Sequence, residues 1–192
     1  MLIGLMGKSG SGKSLVSRLF KEIDETIQVI DVDKIGHDSH NDPKVRSKLI
    51  RYFGDAIFNN DGTVNRKALA SIVFNDDAKM QLLYDATYSY MVERIDLALQ
   101  NAEITILDYA LLPLTKYYEL CDVNILVEAT KDVRSNRVVR RDNISYEKYD
   151  QRDANSLDYS QYTFDYTILN NADIEMLRKV VDGIYEKSIV SR

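Results

Sequence analysis

The sequence predicts an α/β fold in which helices cover both faces of a parallel five-stranded sheet. Three observations lead to this prediction. Five short apolar runs have the length of buried strands, helical periods lie between them, and a glycine-rich segment directly follows the first run. Strands that alternate with helices favour a parallel sheet, because each crossover helix returns the chain to the same end of the sheet. At 192 residues the chain is long enough for one such domain.

The predicted strands are apolar along most of their length. They are Leu2–Met6, Ile27–Asp31, Ile104–Asp108, Val123–Ala129 and Asp165–Leu169. Such runs are typical of strands that are buried on both faces. In open sheets of this kind ligands bind beyond the carboxyl ends of the strands. We therefore expect the chemistry at the residues that end or follow the first three strands.

Between the strands, apolar residues recur at the spacing of one face of a helix. After the first strand they are Leu15, Val16, Leu19, Phe20 and Ile23, and in the last helix they are Ile174, Leu177, Val181 and Ile184. A long helical stretch is predicted from Pro43 to Asn101. It is interrupted at Phe58–Arg66, where Asn-Asp-Gly indicates a turn.

Composition and charge restrict the partners of the protein. The net charge is −5, which disfavours a general nucleic-acid binder, and basic residues concentrate locally in Lys131–Arg141. The apolar runs are shorter than a membrane span, and no secretory leader is recognisable. Cys121 is the single cysteine, so no intrachain disulfide can form. We expect a cytoplasmic protein, preferably monomeric, that binds small molecules rather than membranes or nucleic acids.

The glycine-rich segment Gly7–Ser14 fits the pattern G-x-x-x-x-G-K-[ST] at every fixed position. It follows a predicted strand and begins a predicted helix, which is the context of a P-loop, the phosphate-binding loop of nucleotide-binding proteins. Lys13 is expected to reach the β- and γ-phosphates of ATP and Ser14 to hold Mg²⁺. The residues predicted to bind ATP are Ser9, Gly10, Ser11, Gly12, Lys13, Ser14 and Leu15. The predicted fold is therefore a P-loop NTPase-type three-layer α/β/α fold.

Carboxylates follow the second and third predicted strands. Asp31 and Asp33 are two residues apart at a strand end, so both point to the same side. If the second strand lies beside the first, one carboxylate can face Mg²⁺ and the other can act as general base toward an incoming hydroxyl. An N-cap role for Asp33 is equally consistent with the sequence. Asp108 resembles the Walker B acid that holds Mg²⁺ or its waters, although a buried structural role fits as well.

Arginines on a predicted helix after the fourth strand indicate a lid. Arg134, Arg137 and Arg141 are three and four residues apart and share one face. Three guanidinium groups on one stripe repel one another unless an anion lies nearby, which favours closure over phosphates. The alternative is a solvated basic face paired with Asp132 and Asp142.

Two further pairs of polar residues have open interpretations. Asn170 and Asn171 end the fifth strand, where side-chain amides could read an adenine edge or form an Asx turn. His37 and His40 lack cysteine or acidic partners at metal-ligand spacing, so we interpret them as ordinary surface or helix residues.

In these motifs and in the segments around them, the sequence resembles the dephospho-CoA kinase family over nearly its whole length. The matching segments are "GKSGSGKS", "VIDVDKIGH", "DGTVNRKALASIVF", "LLYDATYSYMVERI", "ILDYALL" and "RSNRVVRRDN". The phosphate loop is generic. The specific parts are the segment Asp61–Phe74 and the spacing of Arg137 and Arg141.

The resemblance implies ATP-dependent phosphorylation of the 3′-hydroxyl of dephospho-CoA, the last step of coenzyme A synthesis, with Mg²⁺. It implies that Asp33 is the catalytic base and that Arg137 and Arg141 close over the phosphates. Asp31 and Arg66 would line the acceptor side. The expected domain is one P-loop kinase domain, with a core at about 1–42, 102–130 and 160–192. A helical substrate-binding insert would occupy about 43–101, and the lid about 131–159.

The sequence departs from the family pattern at two places. Asp85-Ala86 stands where the family usually has a His-Pro pair near the acceptor, so Asp85 is a candidate acceptor residue. After the lid, "DQRDANSLDYSQY" lacks the usual glutamine and further arginine. Two alternatives therefore stay open. One is a nucleoside or deoxynucleoside monophosphate kinase, and the other is a non-catalytic nucleotide-binding paralogue.

Overall fold

The computed structural model describes residues 1–73, 76–171 and 173–190. It divides into two compact units. The sheet unit comprises Met1–Asp31 and Ala102–Arg192, and the helical unit comprises Val32–Asn101. The predicted three-part division into core, insert and lid is not tested by these two units and stays a prediction. Phe74, the last residue of the family-like segment, lies outside the described residues.

The sheet unit contains five parallel strands in the order β2-β3-β1-β4-β5. They are β1 (Leu2–Met6), β2 (Gln28–Asp31), β3 (Thr105–Asp108), β4 (Val123–Glu128) and β5 (Tyr166–Leu169). The predicted parallel sheet is confirmed. The expected placement of Asp31 and Asp33 assumed that the second strand lies beside the first. This assumption is wrong, because β3 separates β2 from β1. Sequence order does not reveal this crossover.

Helices connect the strands throughout the described residues. They are α1 (Lys13–Ile23), α2 (Val32–Asp38), α3 (Pro43–Phe53), α4 (Arg66–Val73), α5 (Asp77–Ala98), α6 (Tyr117–Leu120), α7 (Lys131–Asp142), α8 (Tyr146–Ala154) and α9 (Ile174–Tyr185). A π-helical turn, Glu186–Val190, follows α9. No helix in this part of the chain combines the length and apolar character that a membrane span needs.

The core of the sheet unit forms where α1 and α9 meet the strands. Val16, Leu19 and Phe20 of α1 are fully buried. They share one apolar cluster with residues of β1, β3, β4 and β5 and with Leu177 and Val181 of α9. The helical spacing read from the sequence marks the buried face of α1 and, at Leu177, Val181 and Ile184, that of α9. Ile174 is the exception, because it is 46% exposed at the start of α9. This packing fixes α1, and with it the loop between β1 and α1.

The helical unit has a core of its own. Val45, Leu49, Ile57, Leu69, Val73 and Ala86 are buried together. The predicted interruption is present between α3 and α4, where Phe58 and Val64 form an antiparallel bridge. The structure adds α2, which begins at Val32 and contains Asp33 in its first turn. Both the N-cap role of Asp33 and its shared strand face with Asp31 are therefore wrong.

Candidate active site

The loop between β1 and α1 adopts a conformation that requires glycine. Gly7, Gly10 and Gly12 have φ angles of 149°, 83° and 99°. A Cβ atom at Gly7 would lie 2.2 Å from the Val127 carbonyl oxygen, and one at Gly12 would lie 2.1 Å from Nδ2 of Asn170. The glycine spacing of the motif thus reflects both left-handed backbone and close approach of neighbouring segments. Such a backbone turns N–H groups toward a bound phosphate.

Lys13 is the first residue of α1 and is held by two groups of the sheet unit. Its Nζ atom donates to the Gly7 carbonyl oxygen at 3.1 Å and lies 3.8 Å from Oδ1 of Asp108. The Lys13 and Asp108 side chains are 13% and 11% exposed. Ser14 is exposed in the first helical turn. The predicted phosphate-binding lysine and the predicted metal-binding acid therefore meet directly.

Asp31 and Asp108 end neighbouring strands at the same level. They are register partners in the pairing of β2 with β3, and Asp108 is also the partner of Leu5 in β1. Asp108 is buried whereas Asp31 is exposed. The serine hydroxyl of Ser14 and the carboxylate of Asp108 are hard oxygen donors of the kind that Mg²⁺ prefers. Mg²⁺ is commonly held by one or two carboxylates together with substrate phosphates, and these residues fit that pattern.

Helix α7 brings two of the predicted arginines onto the phosphate loop. Arg137 donates from NH1 to the carbonyl oxygens of Gly10 at 3.1 Å and Ser11 at 3.4 Å. Arg141 is exposed, pairs with Asp142 at 2.8 Å, and places NH2 3.4 Å from Oγ of Ser9. The hydrogen bond to Asp142 raises the pKa of Arg141, which keeps the guanidinium charged. Both side chains therefore contact the phosphate loop, and their predicted role toward phosphates stays a prediction.

Arg134 does not belong to that pair, so the three-arginine stripe is wrong at this position. The side chain is buried in an ion pair with Asp153, and NH1 also donates to the Tyr149 hydroxyl at 2.8 Å. Burial raises the pKa of Asp153, but the hydrogen bond and charge of Arg134 outweigh it and leave that pKa below its usual value. The alternative partner, Asp132, is not the one that Arg134 uses.

Tyr149 and Asp153 are residues that the sequence analysis missed. Both lie in α8, and Asp153 belongs to the segment that departs from the family pattern, which Tyr149 directly precedes. Their four-residue spacing would place them on one face of a helix, which is the signal that could have found them. The burial raises the pKa of Tyr149 to about 12, so its hydroxyl stays a neutral partner of Arg134.

Asn170 also bonds the phosphate loop. It is 3% exposed, and Nδ2 donates to the Ser11 carbonyl oxygen at 2.8 Å. Its own carbonyl oxygen accepts from NH2 of Arg137 at 3.2 Å. Asn171 accepts from the backbone N–H of Thr130 at 2.8 Å through Oδ1. Neither interpretation of Asn170 from sequence included this contact, and its predicted contact with ATP stays a prediction.

The phosphate loop lies beside a lysine, an acid and two arginines, an arrangement that is typical of phosphotransferases. Comparison with known proteins gives the family. The profile of the dephospho-CoA kinase family matches residues 1–175. A dephospho-CoA kinase of Aquifex aeolicus is 31% identical over 191 residues, which are 96% of this chain and 96% of that protein. The chain belongs to the dephospho-CoA kinase family. The resemblance read from the sequence is confirmed, and with it a phosphotransferase that acts on an alcohol group.

Solved structures agree with this kinase fold. A Thermus thermophilus protein superposes with a TM-score of 0.83 at 23% identity, over 97% of both chains. Dephospho-CoA kinase from Campylobacter jejuni superposes with a TM-score of 0.59 at 18% identity, over 97% of this chain and 96% of that one. At these identities the likeness concerns the fold. It confirms the predicted P-loop architecture.

The remaining residues predicted from the dephospho-CoA kinase resemblance lie in the helical unit. Asp33 and Arg66 are exposed in the first turns of α2 and α4. Asp85 is exposed on α5, where its Oδ1 accepts from Nε2 of Gln81 at 2.9 Å. Its carbonyl oxygen accepts from Nζ of Lys48 at 3.2 Å. The side chain of Asp85 is thus oriented by its own helix, and its role toward an acceptor stays a prediction.

His40 differs from the ordinary surface residue that the sequence suggested. Burial, followed by the charges of His37 and Arg66, lowers the pKa of His40 to about 4. Its Nδ1 atom is buried, and no hydrogen-bond partner for it is found within the described residues. His37, at a ring distance of 6.5 Å, is exposed on α2. His40 is therefore a neutral, partly buried neighbour of the predicted acceptor residue Arg66.

Proposed function

We propose that this protein transfers the γ-phosphoryl group of ATP to the 3′-hydroxyl of dephospho-CoA, giving coenzyme A and ADP. The observation that carries the proposal is the family match over most of a chain that retains the P-loop and its Lys13–Asp108 contact. In the reaction the 3′-oxygen bonds to the γ-phosphorus while the bond from that phosphorus to the β–γ bridging oxygen breaks. The proton of the hydroxyl passes to a base.

Positioning and charge stabilisation supply most of the catalysis in phosphoryl transfer. The P-loop backbone binds the phosphates, and Lys13 neutralises charge on the β- and γ-phosphates. Arg137 and Arg141 leave their contacts with the loop and stabilise the negative charge that develops on the transferring phosphoryl group. Ser14 and Asp108 would hold Mg²⁺, which would neutralise charge on the phosphates.

Asp33 is the proposed base. A carboxylate within hydrogen-bond reach of the 3′-hydroxyl can accept its proton as the bond to phosphorus forms. Asp31, Arg66 and Asp85 are the proposed acceptor-binding residues, supplying hydrogen bonds and charge to the ribose and diphosphate of dephospho-CoA. The support is the family membership together with the exposure of all four side chains.

A small-molecule reaction in the cytoplasm fits the other properties of the chain. The net charge of −5 and the single cysteine support a protein of a reducing compartment that binds no nucleic acid. A monomer suffices for the proposed chemistry, because the predicted catalytic residues all come from one chain.

A coupled assay of ADP release tests the acceptor. Purified protein receives Mg·ATP with dephospho-CoA in one reaction and with each common ribo- and deoxyribonucleoside monophosphate in others. Selective turnover with dephospho-CoA is the expected result. Turnover only with a monophosphate would instead support a nucleoside or deoxynucleoside monophosphate kinase. ATP binding without any turnover would support a non-catalytic nucleotide-binding paralogue.

Substitution of the proposed base tests the mechanism. Asp33→Asn is expected to lower turnover by roughly 10²–10⁴-fold and to leave ATP affinity nearly unchanged, since a general base contributes about that much. Asp38→Asn is the matched control, because Asp38 is exposed at the end of the same helix, α2. Equal turnover in the two variants would remove Asp33 from this role.

A further inference from the structure

A tyrosine outside the predicted site contacts the first residue of the phosphate loop. Tyr159 begins a one-turn 3-10 helix, Tyr159–Gln161, and is 8% exposed. Its hydroxyl accepts from the backbone N–H of Gly7 at 3.2 Å and donates to the carbonyl oxygen of Ala110 at 2.6 Å. Tyr159 comes from the segment after the arginine helix that matches the family pattern poorly.

The two backbone groups that Tyr159 joins belong to the loop that precedes Lys13 and to the loop that follows Asp108. Gly7 accepts the hydrogen bond of the Lys13 ammonium group through its carbonyl oxygen. Ala110 follows Asp108 by two residues at the exit of β3. A single hydroxyl therefore links the loop after β1 to the loop after β3. The Lys13–Asp108 distance of 3.8 Å depends on the relative position of these two loops.

The surroundings of Tyr159 make this link specific. Gly7 has a φ of 149°, a conformation that its lack of a side chain permits. Because Gly7 is buried, its backbone N–H needs a hydrogen-bond partner inside the protein. The Tyr159 ring packs edge-on against Phe164 at 6.0 Å. It also forms part of the wall of a cavity of about 400 Å³ that reaches Lys8 and Ser11 of the phosphate loop. Ring packing thus fixes the hydroxyl beside the loop.

We propose that Tyr159 is a positioning residue for phosphoryl transfer, which rests on the proposed kinase function. Its hydroxyl holds the first peptide of the phosphate loop against the exit of β3. This contact sets the position of the Lys13 ammonium group relative to Asp108. Catalysis by a P-loop is sensitive to such placement, because small displacements of a charge-stabilising group cost much of its effect.

If the Tyr159 hydroxyl were only structural, it would provide hydrogen bonds to Gly7 and Ala110 and its loss would not change the reaction rate. Tyr159→Phe removes only the hydroxyl and keeps the ring. Tyr118→Phe is the matched control, since the Tyr118 hydroxyl bonds the carbonyl oxygen of Thr163 and accepts from its N–H at 3.0 Å. Both variants therefore lose the hydrogen bonds of the hydroxyl to backbone groups, and of the two only Tyr159 bonds the phosphate loop in this way.

Turnover separates the positioning role from the structural one. Tyr159→Phe is expected to lose at least as much thermal stability as Tyr118→Phe, because the bond to Gly7 is buried and those of Tyr118 are exposed. Tyr159→Phe is expected to lower kcat about tenfold, because a displaced Lys13 stabilises the transferring phosphoryl group less well, with an unchanged KM for dephospho-CoA. Tyr118→Phe should keep the wild-type kcat. Equal kcat values in the two variants would overturn the proposal.

Two NMR measurements test the contact without relying on the acceptor. In the wild-type protein the Gly7 amide should exchange slowly with solvent, and rapid exchange would overturn the proposal even if Tyr159→Phe fails to fold. The signal of the Lys13 ε-methylene should shift in Tyr159→Phe and stay in place in Tyr118→Phe. Unchanged Lys13 signals in both would also overturn it. If the wild-type protein showed no turnover with dephospho-CoA, the proposed function would be refuted. The two NMR measurements would still decide whether Tyr159 positions Gly7 and Lys13.

Discussion

Replacing Asp153 with asparagine should leave the Arg134 guanidinium buried without a counterion. The two side chains of this ion pair are 10% and 13% exposed, and the Tyr149 hydroxyl accepts a further hydrogen bond from the same guanidinium. Removal of one partner from a buried pair costs about 3–5 kcal/mol. The amide oxygen of asparagine can still accept one hydrogen bond from Arg134. We therefore expect a loss at the lower end, about 3 kcal/mol.

The loss should appear first as local opening of α7 and α8, because Arg134 and Asp153 join these two elements. Amide hydrogen exchange followed by mass spectrometry measures that opening segment by segment. A loss of about 3 kcal/mol corresponds to exchange that is roughly 100-fold faster in the slowest amides of both helices. Segments of the helical unit should exchange as in the wild type.

The matched control is Asp150→Asn on the same helix. Asp150 forms an ion pair with Lys131 at 2.7 Å, but these side chains are 55% and 58% exposed. Exposed pairs contribute little because water and salt screen them, so exchange should change little. Equal exchange in Asp150→Asn and Asp153→Asn would refute the argument from burial. The double variant Arg134→Met with Asp153→Leu should recover most of the stability, since it leaves no buried charge unpaired.

Three further predictions follow from the loop and from the helical unit. Gly12→Ala should lower the affinity for Mg·ATP more than about tenfold by calorimetry, because the new Cβ atom would lie 2.1 Å from Nδ2 of Asn170 and φ is 99°. Gly183→Ala in α9, with nothing within 4 Å of the added atom, should bind normally, and equal affinities would contradict the close-approach argument. Lys13→Ala should weaken nucleotide binding and lower turnover by at least about 100-fold, and an unchanged rate would overturn the P-loop assignment. The stability of the wild type relative to His40→Gln should fall by roughly 2 kcal/mol between pH 7.5 and pH 5 in urea unfolding. The folded pKa of His40, about 4, lies below the ordinary 6.5, so the unfolded chain binds the proton first as pH falls. Parallel pH profiles of the two proteins would show that His40 does not titrate in this way.

Local sequence signals were sufficient where one segment carries the whole requirement. The P-loop is such a case, because its glycine spacing, its lysine and its strand-to-helix context lie within Gly7–Ser14. The buried faces of α1 and α9 are another, because helical periodicity marks them at every predicted position except Ile174. For Asp33 the local signal misled. Its spacing from Asp31 suggested one shared strand face, but α2 begins at Val32 and changes the periodicity between the two residues.

Partner choice among the arginines depended on elements that are distant in sequence. Arg134, Arg137 and Arg141 have the same spacing and the same chemistry, and nothing local distinguishes them. Asp153 and Tyr149 of α8 take Arg134 out of the stripe, whereas Arg137 and Arg141 reach the phosphate loop. Such a choice is made by packing between helices, which residue spacing does not encode.

The sequence by itself determined the fold class, the phosphate loop and the family, because these rest on hydrophobic period and on motifs of adjacent residues. Only the tertiary structure decided that β3 separates β1 from β2, that Lys13 meets Asp108, and that Asn170 and Tyr159 bond the loop at Ser11 and Gly7. These contacts join residues up to 159 positions apart. They follow from strand order and side-chain packing, which the chain acquires only when its separate elements assemble.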